Sequence, residues 1–397
     1  MWDIQIFVLR KEREGMEEKR EKKLFKEDYM EYAIKLAMRG EGWVSPNPLV
    51  GAVIVKEGKI IGEGWHERYG EAHAERNALL HCKESPVNST LYVTLEPCCH
   101  QGKQPPCTEA IIKAGIKKVV IGAKDPNPLV AGKGIQILKD HGIEVIQGIL
   151  EEKCRDINRV FFHYIQTGMP YVTMKYAMTM DGKIATAAGK SKWITGEAAR
   201  EHVHKQRHKN RGIMVGVGTI IKDNPMLDCR IEGGKNPLRI ICDSHLRIPQ
   251  NAKVVTTAEE IPTYLVTTIE DQEKWKPYVE AGCKIIVVPE VENKVNIEVM
   301  LKELGKAGID SILLEGGGQL NGSFLSSGLF NALQVYLAPK LFGGKEGISP
   351  IGGAGILDPK DSIFLKNRKI TLLGQDILIE SEVERDVHRN SGRSREN

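Results

Sequence analysis

Thr94-Leu95-Glu96-Pro97-Cys98-Cys99-His100-Gln101-Gly102-Lys103-Gln104-Pro105-Pro106-Cys107 is the stretch on which the reading of this chain turns. Upstream of it stands His73-Ala74-Glu75. A His-x-Glu with two Pro-Cys pairs supplies the parts of a hydrolytic deaminase site. Such a site must make hydroxide near neutral pH. Zinc held by three protein ligands, with one position open, does this by lowering the pKa of a bound water to about 7. A carboxylate must then carry protons to the ring nitrogen and to the leaving ammonia. Glu75 falls at the start of a predicted helix, where it can face the open position without being a ligand.

The spacing departs from the general P-C-x-x-C signature, because Gln101 stands at the place of its second cysteine. The next cysteine of a Pro-Cys pair is Cys107, and the segment between reads as a longer loop before the same structural point. Cys107 opens a helical stretch from Thr108, and a helix N-terminus stabilises a thiolate. Cys99 is a rival third ligand, but adjacent side chains point apart. A closed structural zinc is the alternative, and a fourth cysteine ligand would mark it.

The chain has 397 residues, enough for two ordinary domains. Its composition, 41% hydrophobic and 27% charged, is that of a globular protein. A net charge of +4 is too small and dispersed to imply nucleic-acid binding. No apolar run reaches the roughly 20 residues of a membrane-spanning helix. Residues Met1 to Leu9 are fairly apolar, but the charged run Arg10 to Asp28 follows them, the reverse of a secretory signal. The run itself reads as a solvated, frayed helix, and Met16 is a second candidate start. Three of the eight cysteines cluster within the zinc motif, which points to metal rather than to a disulfide framework.

Strand and helix signals alternate through both halves, which predicts an α/β protein with helices covering sheets. In the first half, strands are expected at Leu49–Val55, Ile60–Trp65, Thr90–Leu95, Lys118–Gly122 and Glu144–Ile149. Helices are expected at Ala74–His81, Thr108–Ala114, Gly134–Asp140 and Glu151–Gln166. The last of these stops at Thr167-Gly168-Met169-Pro170, and the domain boundary is placed there. The expected division is a charged extension over 1–26, domains over 27–168 and 169–384, and a polar tail over 385–397. Second-half strands are expected at Tyr171–Met178, Gly212–Val217, Leu238–Asp243, Thr263–Thr267, Lys284–Val288, Ser311–Glu315, Leu333–Pro339 and Ile370–Gly374. Helices are expected at Glu197–Lys209, Ile297–Ala307 and Leu320–Ser326. No G-x-G-x-x-G follows a strand, so an ordinary dinucleotide fold is not supported. Gly316-Gly317-Gly318 does follow one, and such a turn can aim backbone N–H groups at a phosphate or be merely flexible.

The quoted stretch resembles the deaminase half of the bifunctional riboflavin-biosynthesis deaminase–reductases. So do Asn47-Pro-Leu-Val-Gly-Ala52, Gly70-Glu-Ala-His-Ala-Glu75 and Lys124-Asp-Pro-Asn-Pro-Leu-Val-Ala-Gly-Lys-Gly134. The long cysteine spacing is that family's own. Lys175-Tyr-Ala-Met-Thr-Met-Asp-Gly-Lys183, Ser191-Lys-Trp-Ile-Thr195, Gly216-Val-Gly-Thr219, Lys222-Asp-Asn-Pro225 and Leu314-Glu-Gly-Gly-Gly318 resemble its reductase half. The similarity runs from about residue 27 to residue 380.

The resemblance implies a cytidine-deaminase-like domain followed by a dihydrofolate-reductase-like domain, with Zn2+ and NADPH as cofactors. The implied substrate is 2,5-diamino-6-(5-phosphoribosylamino)pyrimidin-4(3H)-one. It is deaminated, and the ribosyl group of the product, 5-amino-6-(5-phosphoribosylamino)uracil, is then reduced to ribityl. His73, Cys98 and Cys107 are the implied zinc ligands and Glu75 the proton shuttle. Asn47, His66, Lys103, Asp125 and Asn127 match positions that hold the pyrimidine or the ribose phosphate. Read alone, Asp125 and Asn127 are also ordinary turn residues. Ala177, Trp193, Thr219, Asp223, Ser244 and the turn Gly317, Gly318, Gln319, Leu320, Asn321, Gly322, Ser323 match NADPH contacts. Ser191, Arg207, Leu227, Arg230 and Glu315 match substrate contacts, with Lys175 a further candidate near the reacting sugar. Asp223 and Glu315 are candidate acid–base groups, and Trp193 either stacks on a ring or sits in the core. The family usually has Ser at position 99, so Cys99 is a departure.

The expected partners are the phosphoribosylated pyrimidine and further copies of the chain, with no nucleic acid and no membrane, in the cytoplasm. A deaminase of RNA or of free nucleosides, with a non-catalytic second domain, is the competing reading. It is disfavoured by the absence of a basic stretch beside the zinc motif.

Overall fold

A computed structural model describes residues 26–384, apart from 103, 128–129 and 346. The expected charged extension, save its last residue, and the polar tail lie outside the described residues. The chain forms two compact units that divide between Phe162 and His163.

The first unit begins with helix α1 (Lys26–Ala37), which the sequence reading did not single out. Tyr29, Met30, Ala33, Ile34 and Ala37 share its buried face, at the spacing an amphipathic helix requires. Strand β1 (Gly51–Lys56) runs beneath it so closely that a Cβ on Gly51 would come within 1.9 Å of the Ala33 carbonyl oxygen. β2 (Lys59–Trp65), β3 (Thr90–Leu95), β4 (Lys118–Ala123) and β5 (Glu144–Gln147) complete a sheet ordered β2-β1-β3-β4-β5. β1 is antiparallel to β2 and β3, whereas β3, β4 and β5 are parallel. Helices α2 (Ala74–Leu80), α3 (Cys107–Lys113) and α4 (Lys133–Asp140) connect these strands. Ile54, Leu91, Ile111, Ile121 and Leu138 fill the core between them.

The single helix expected over Glu151–Gln166 is two helices, α5 (Glu151–Asp156) and α6 (Arg159–Thr167). Asn158 lies in the break and is buried. Its side chain accepts from the Leu49 N–H at 2.7 Å and donates to the Leu49 carbonyl at 2.8 Å. That side-chain pairing fastens the segment entering β1, a tertiary contact that helical periodicity does not display.

In the second unit β6 (Tyr171–Thr179) is followed by α7 (Glu197–Lys209), β7 (Gly212–Gly216), α8 (Val217–Asp223) and β8 (Leu238–Cys242). Then come α9 (Lys253–Thr256), β9 (Thr263–Thr267), α10 (Gln272–Glu280) and β10 (Lys284–Val287). A small hairpin, β11 (Glu290–Val291) and β12 (Lys294–Val295), precedes α11 (Ile297–Lys306), β13 (Ser311–Leu314) and α12 (Gly318–Ser327). β14 (Ala332–Ala338), β15 (Leu365–Leu373) and β16 (Asp376–Val383) close the unit. The large sheet is ordered β10-β9-β8-β7-β13-β6-β14-β16-β15. Its strands are parallel up to β14, and β16 and β15 are antiparallel additions. Two apolar clusters, one around Met174, Ile240 and Leu314, the other around Ile213, Ile241 and Leu265, use alternate residues of the same strands. Both faces of the sheet are therefore covered, as parallel sheets require.

The expected strand Ile370–Gly374 is longer than read, and β16 was missed. Lys366, Asn367, Arg368 and Lys369 stand in β15, an edge strand, where charge blocks further pairing and breaks the alternation. α10 was missed because Pro277 interrupts its helical signal.

Candidate active sites

In the first unit, β3 ends at Leu95 and the chain turns through Pro97 to present Cys98. Cys107 is the first residue of α3, and His73 caps the start of α2. The Nδ1 of His73 lies 3.4 Å from each of the Cys98 and Cys107 Sγ atoms. All three ligand atoms lie within 4.8 Å of one another. Zn–S bonds of about 2.3 Å and Zn–N bonds of about 2.0 Å at tetrahedral angles put S and N about 3.5 Å apart, so the trio fits zinc. Cys99 is not in that trio, and no fourth ligand joins it among the described residues. Among the described residues the trio thus leaves the fourth tetrahedral place without a protein ligand. No disulfide ties any of the eight cysteines.

The electrostatics suit a cation. Hydrogen bonds, first from Cys107 and then from His73, hold the Cys98 thiol down to about 4 against its burial. The Cys107 backbone N–H also donates to the Cys98 sulfur at 3.4 Å. Glu75, in the first turn of α2, is 3% exposed, and burial raises its pKa above the ordinary carboxylate value. A bound dication would work in the opposite direction.

Of the other expected residues, Asn47 and His66 meet, with Nδ2 and Nε2 3.1 Å apart. The His66 Nδ1 faces the Ala72 carbonyl oxygen at 3.0 Å. That carbonyl can only accept, so Nδ1 carries the proton and Nε2 accepts from Asn47. Burial lowers the His66 pKa, which keeps the ring neutral. Its ring stands edge-on to His73, centroids 5.3 Å apart. Asp125 follows β4, and burial pushes its carboxyl up to about 6. Its Oδ1 accepts from the Asn127 N–H at 2.8 Å, so the turn chemistry expected of this pair is present. Lys103 lies outside the described residues.

In the second unit, the loops after β7, β8 and β13 leave the same edge of the parallel sheet, where ligands bind in such folds. Glu315 directly follows β13, Arg207 comes from α7 and Lys175 from β6. Arg207 grips Glu315 through two hydrogen bonds of 2.8 and 3.0 Å, and the Lys175 Nζ lies 3.6 Å from Glu315. Burial pushes the Glu315 carboxyl up, but the Arg207 and Lys175 charges outweigh it and hold it down to about 2. Burial lowers the Lys175 pKa, with Glu315 opposing. The Lys175 ammonium also lies 5.4 Å from the Tyr336 ring centroid.

The stretch Gly317 to Ser323 runs into the helix expected from Leu320, which begins two residues earlier, at Gly318. Asn321 is fully buried and donates to the Pro350 carbonyl at 2.9 Å, while the Gly352 N–H donates to the Gly318 carbonyl at 2.8 Å. Those contacts turn Asn321 toward the chain's own 350–352 segment. Thr219 on α8 lies beside Gly317. Ser244 follows β8, and its Oγ accepts from the Val295 N–H at 3.1 Å. Ala177 stands on β6 opposite Tyr336. Trp193 is 66% exposed beneath the Arg200 guanidinium, which rules out a core role. Leu227 is buried with φ of +55°, a backbone setting that a leucine adopts only when its surroundings impose it. Asp223 and Arg230 are exposed, Arg230 in an ion pair with Asp228, and Ser191 is half-buried.

Glu96 and Asn158 are the residues that sequence reading passed over. Glu96 stands inside the quoted motif, yet only its three-dimensional partners show what a buried carboxylate there contacts.

Two family models divide the chain. Residues 24–123 match the cytidine and deoxycytidylate deaminase zinc-binding region, and residues 170–379 match the RibD C-terminal domain. The riboflavin biosynthesis protein RibD of Actinobacillus pleuropneumoniae is 52% identical over 353 residues, covering 89% of this chain and 94% of that protein. RibD of Escherichia coli (strain K12) is 37% identical over 367 residues, covering 89% of this chain and 98% of that protein. Among solved structures, Acinetobacter baumannii RibD, form 1, shares 38% identity and a TM-score of 0.82, over 90% of this chain and 99% of that one. The Thermotoga maritima diaminohydroxyphosphoribosylaminopyrimidine deaminase/5-amino-6-(5-phosphoribosylamino)uracil reductase shares 37% identity and a TM-score of 0.78, over 90% and 98%. No described helix is long and apolar enough to cross a membrane.

Proposed function

We propose, from the premise that this chain belongs to the RibD family of riboflavin-biosynthesis proteins, the residues by which each half of a bifunctional deaminase–reductase works. The chain is a zinc-dependent deaminase joined to an NADPH-dependent reductase. The competing reading, an RNA or nucleoside deaminase with a non-catalytic second domain, is not favoured.

For the deaminase, the carrying observation is the trio His73, Cys98 and Cys107 with Glu75 buried beside it. The substrate is the phosphoribosyl diaminopyrimidine, as the name of the Thermotoga relative states for that protein. Zinc held by the trio supplies Lewis acidity and lowers the pKa of water. Glu75 takes one proton from the attacking water and gives it to the ring nitrogen, then takes the second proton from the oxygen now on the ring carbon and gives it to the amino group, which departs as ammonia. Asn47, through the neutral His66, and the turn Asp125–Asn127 read the edge of the pyrimidine. Lys103 meets the phosphate by charge.

For the reductase, Thr219, Ser244, Gly317, Gln319, Leu320 and Ser323 at the sheet edge would hold NADPH, with Ala177, Trp193 and Asp223 as further contacts. Asn321 supports this wall from inside rather than touching the cofactor. Glu315 is an anion at neutral pH, so its part is to orient a sugar hydroxyl and Lys175, not to donate a proton. Lys175, with its lowered pKa, would supply the proton to the nitrogen bonded to C1′ as hydride adds to C1′ of the opened, imine-form ribose. Arg207, Ser191, Leu227 and Arg230 hold the substrate. A thiolate-based zinc site in a chain without disulfides suits a reducing compartment, and we place it in the cytoplasm. The active form is taken as a homo-oligomer.

The test is one assay of the full chain with the phosphoribosyl diaminopyrimidine, following ammonia release and then NADPH loss, with and without a zinc chelator. Chelator-sensitive ammonia release followed by NADPH consumption supports both halves. Ammonia without NADPH loss removes the reductase assignment alone. Glu75→Gln should cut ammonia release by about a hundredfold or more while zinc stays bound.

A further inference from the structure

We infer that Glu96 is a positioning residue of the deaminase, gathering the loop that carries Asp125 and Asn127 against the strand end that presents Cys98. This rests on the reading of Asp125 and Asn127 as substrate contacts.

Glu96 is the last residue before Pro97-Cys98, and it is 3% exposed. Its own N–H donates to the Ala123 carbonyl, at the end of β4. Its carboxylate has no salt-bridge partner among the described residues and is instead surrounded by backbone donors of the 124–135 loop. One oxygen accepts from the Gly132 N–H at 3.0 Å and the Asp125 N–H at 3.4 Å. The other accepts from the Ile135 N–H at 3.3 Å, in the first turn of α4. A buried carboxylate must collect such donors, because the alternative is an unsolvated charge. The backbone at Asp125, Gly132 and Ile135 is thus wound around one side chain that stands two residues before a zinc ligand.

The sequence is fitted to that winding. A Cβ on Gly134 would come within 2.3 Å of the Pro97 carbonyl oxygen and 3.3 Å of the Glu96 Oε1. Glycine there lets the loop lie directly on the strand end. The turn then sets Asp125 and Asn127 relative to each other through the Asp125 Oδ1 to Asn127 N–H bond. Glu96 itself has no part in ligating the metal, since the ligand trio is complete without it. Its effect on substrate is exerted through the loop.

Glu96→Gln keeps the size of the side chain but turns one acceptor into an NH2 group facing backbone N–H donors. The full chain carrying this change should keep its zinc and its reductase activity. Its deaminase KM for the phosphoribosyl diaminopyrimidine should rise about tenfold, with kcat changed by less than about threefold, the mark of lost ground-state binding. In an Asn127→Ala background, which by itself raises KM, adding Glu96→Gln should change KM little further, because both act through one loop. An unchanged KM in Glu96→Gln overturns the inference. So does a KM effect that multiplies fully with that of Asn127→Ala, or loss of zinc, which would make Glu96 a support of the metal strand alone. If Asn127→Ala and Asp125→Asn both leave KM unchanged, the substrate contacts are wrong, and the inference falls for that separate reason. Should Glu96→Gln fail to fold, Gly134→Ala decides, since its Cβ presses chiefly on the Pro97 carbonyl oxygen and lifts the loop while leaving the Glu96 carboxylate and every ligand chemically unaltered. A KM rise absent from the Asn127→Ala background supports the inference, and an unchanged KM overturns it.

Discussion

Arg207 and Glu315 form a two-bond pair across the reductase half, Nε to Oε1 at 2.8 Å and Nη2 to Oε2 at 3.0 Å, with both side chains largely buried. Planar groups matched in this way fix each other's orientation as well as their charge. Arg207 also donates to the Asp228 carbonyl at 2.8 Å, beside the strained Leu227. The pair therefore connects α7, the end of β13 and the 224–228 segment.

Removing the cation should expose how much the pair carries. Arg207→Gln leaves Glu315 buried with Lys175 alone, and a stability loss of about 3 kcal/mol is expected at neutral pH. The pH dependence has a definite sign. The folded Glu315 pKa of about 2 lies below its ordinary value of 4.5, so its contribution is fully present above that ordinary value. It is lost as the pH falls through the folded value. Denaturant unfolding of both chains should show the gap between them narrowing from about pH 5 downward. A gap independent of pH over that range would deny the charge its role.

Lys175 is the second arm of the same cluster, and burial has already shifted it toward releasing a proton. Lys175→Met should lower reductase kcat by about a hundred- to ten-thousandfold while ammonia release stays within about twofold. In the unaltered chain, reductase kcat should fall as pH rises through the lowered lysine value, since the donor must be protonated. A substitution that changed KM alone would make Lys175 a binding group rather than a proton source.

The zinc trio gives a prediction that separates adjacent cysteines. Cys107→Ser should strip the metal and abolish ammonia release, since Cys107 is buried within reach of both other ligands. Cys99→Ser should retain zinc and deaminase activity within about twofold. Metal content by atomic spectroscopy beside the ammonia assay tests both. Loss of zinc in Cys99→Ser would reassign the third ligand.

Much of this was legible in the sequence, for reasons that differ from place to place. The zinc trio was readable because metal chemistry restricts residue types, even across an unusual spacing. The strands of both sheets were readable because buried parallel strands are short apolar runs. The first half of the edge strand β15 was not, because charge at Lys366, Arg368 and Lys369 hides it in the pattern of a loop. Nor was the burial of Glu315, whose sequence neighbours include three glycines but whose partners come from α7 and β6. Trp193 was left open between core and ring-stacking, and exposure removes the first alternative. Contacts between residues distant in sequence left no local trace.

Asn158 shows that limit most sharply, and it carries the last prediction. Read along the chain it is one polar residue inside a helical pattern. In the fold it occupies the break between α5 and α6 and pairs with both the N–H and the carbonyl of Leu49, 109 positions away. Leu49 lies two residues after Asn47, so the pairing holds a proposed substrate contact as well as the entry to β1. Asn158→Ala orphans a donor and an acceptor in a buried site and should cost about 2–4 kcal/mol in denaturant unfolding. Asn158→Asp is the sharper case. It can still accept from the Leu49 N–H, but it sets a carboxylate oxygen against the Leu49 carbonyl oxygen. It should therefore destabilise the fold at least as much as alanine at neutral pH, and recover part of the loss as the pH is lowered and the carboxyl takes a proton. Burial and the facing carbonyl oxygen raise the folded carboxyl's pKa, so recovery that sets in above the ordinary carboxylate range and is complete near it, with the alanine variant unaffected, would identify the lost donation to the Leu49 carbonyl as the cause.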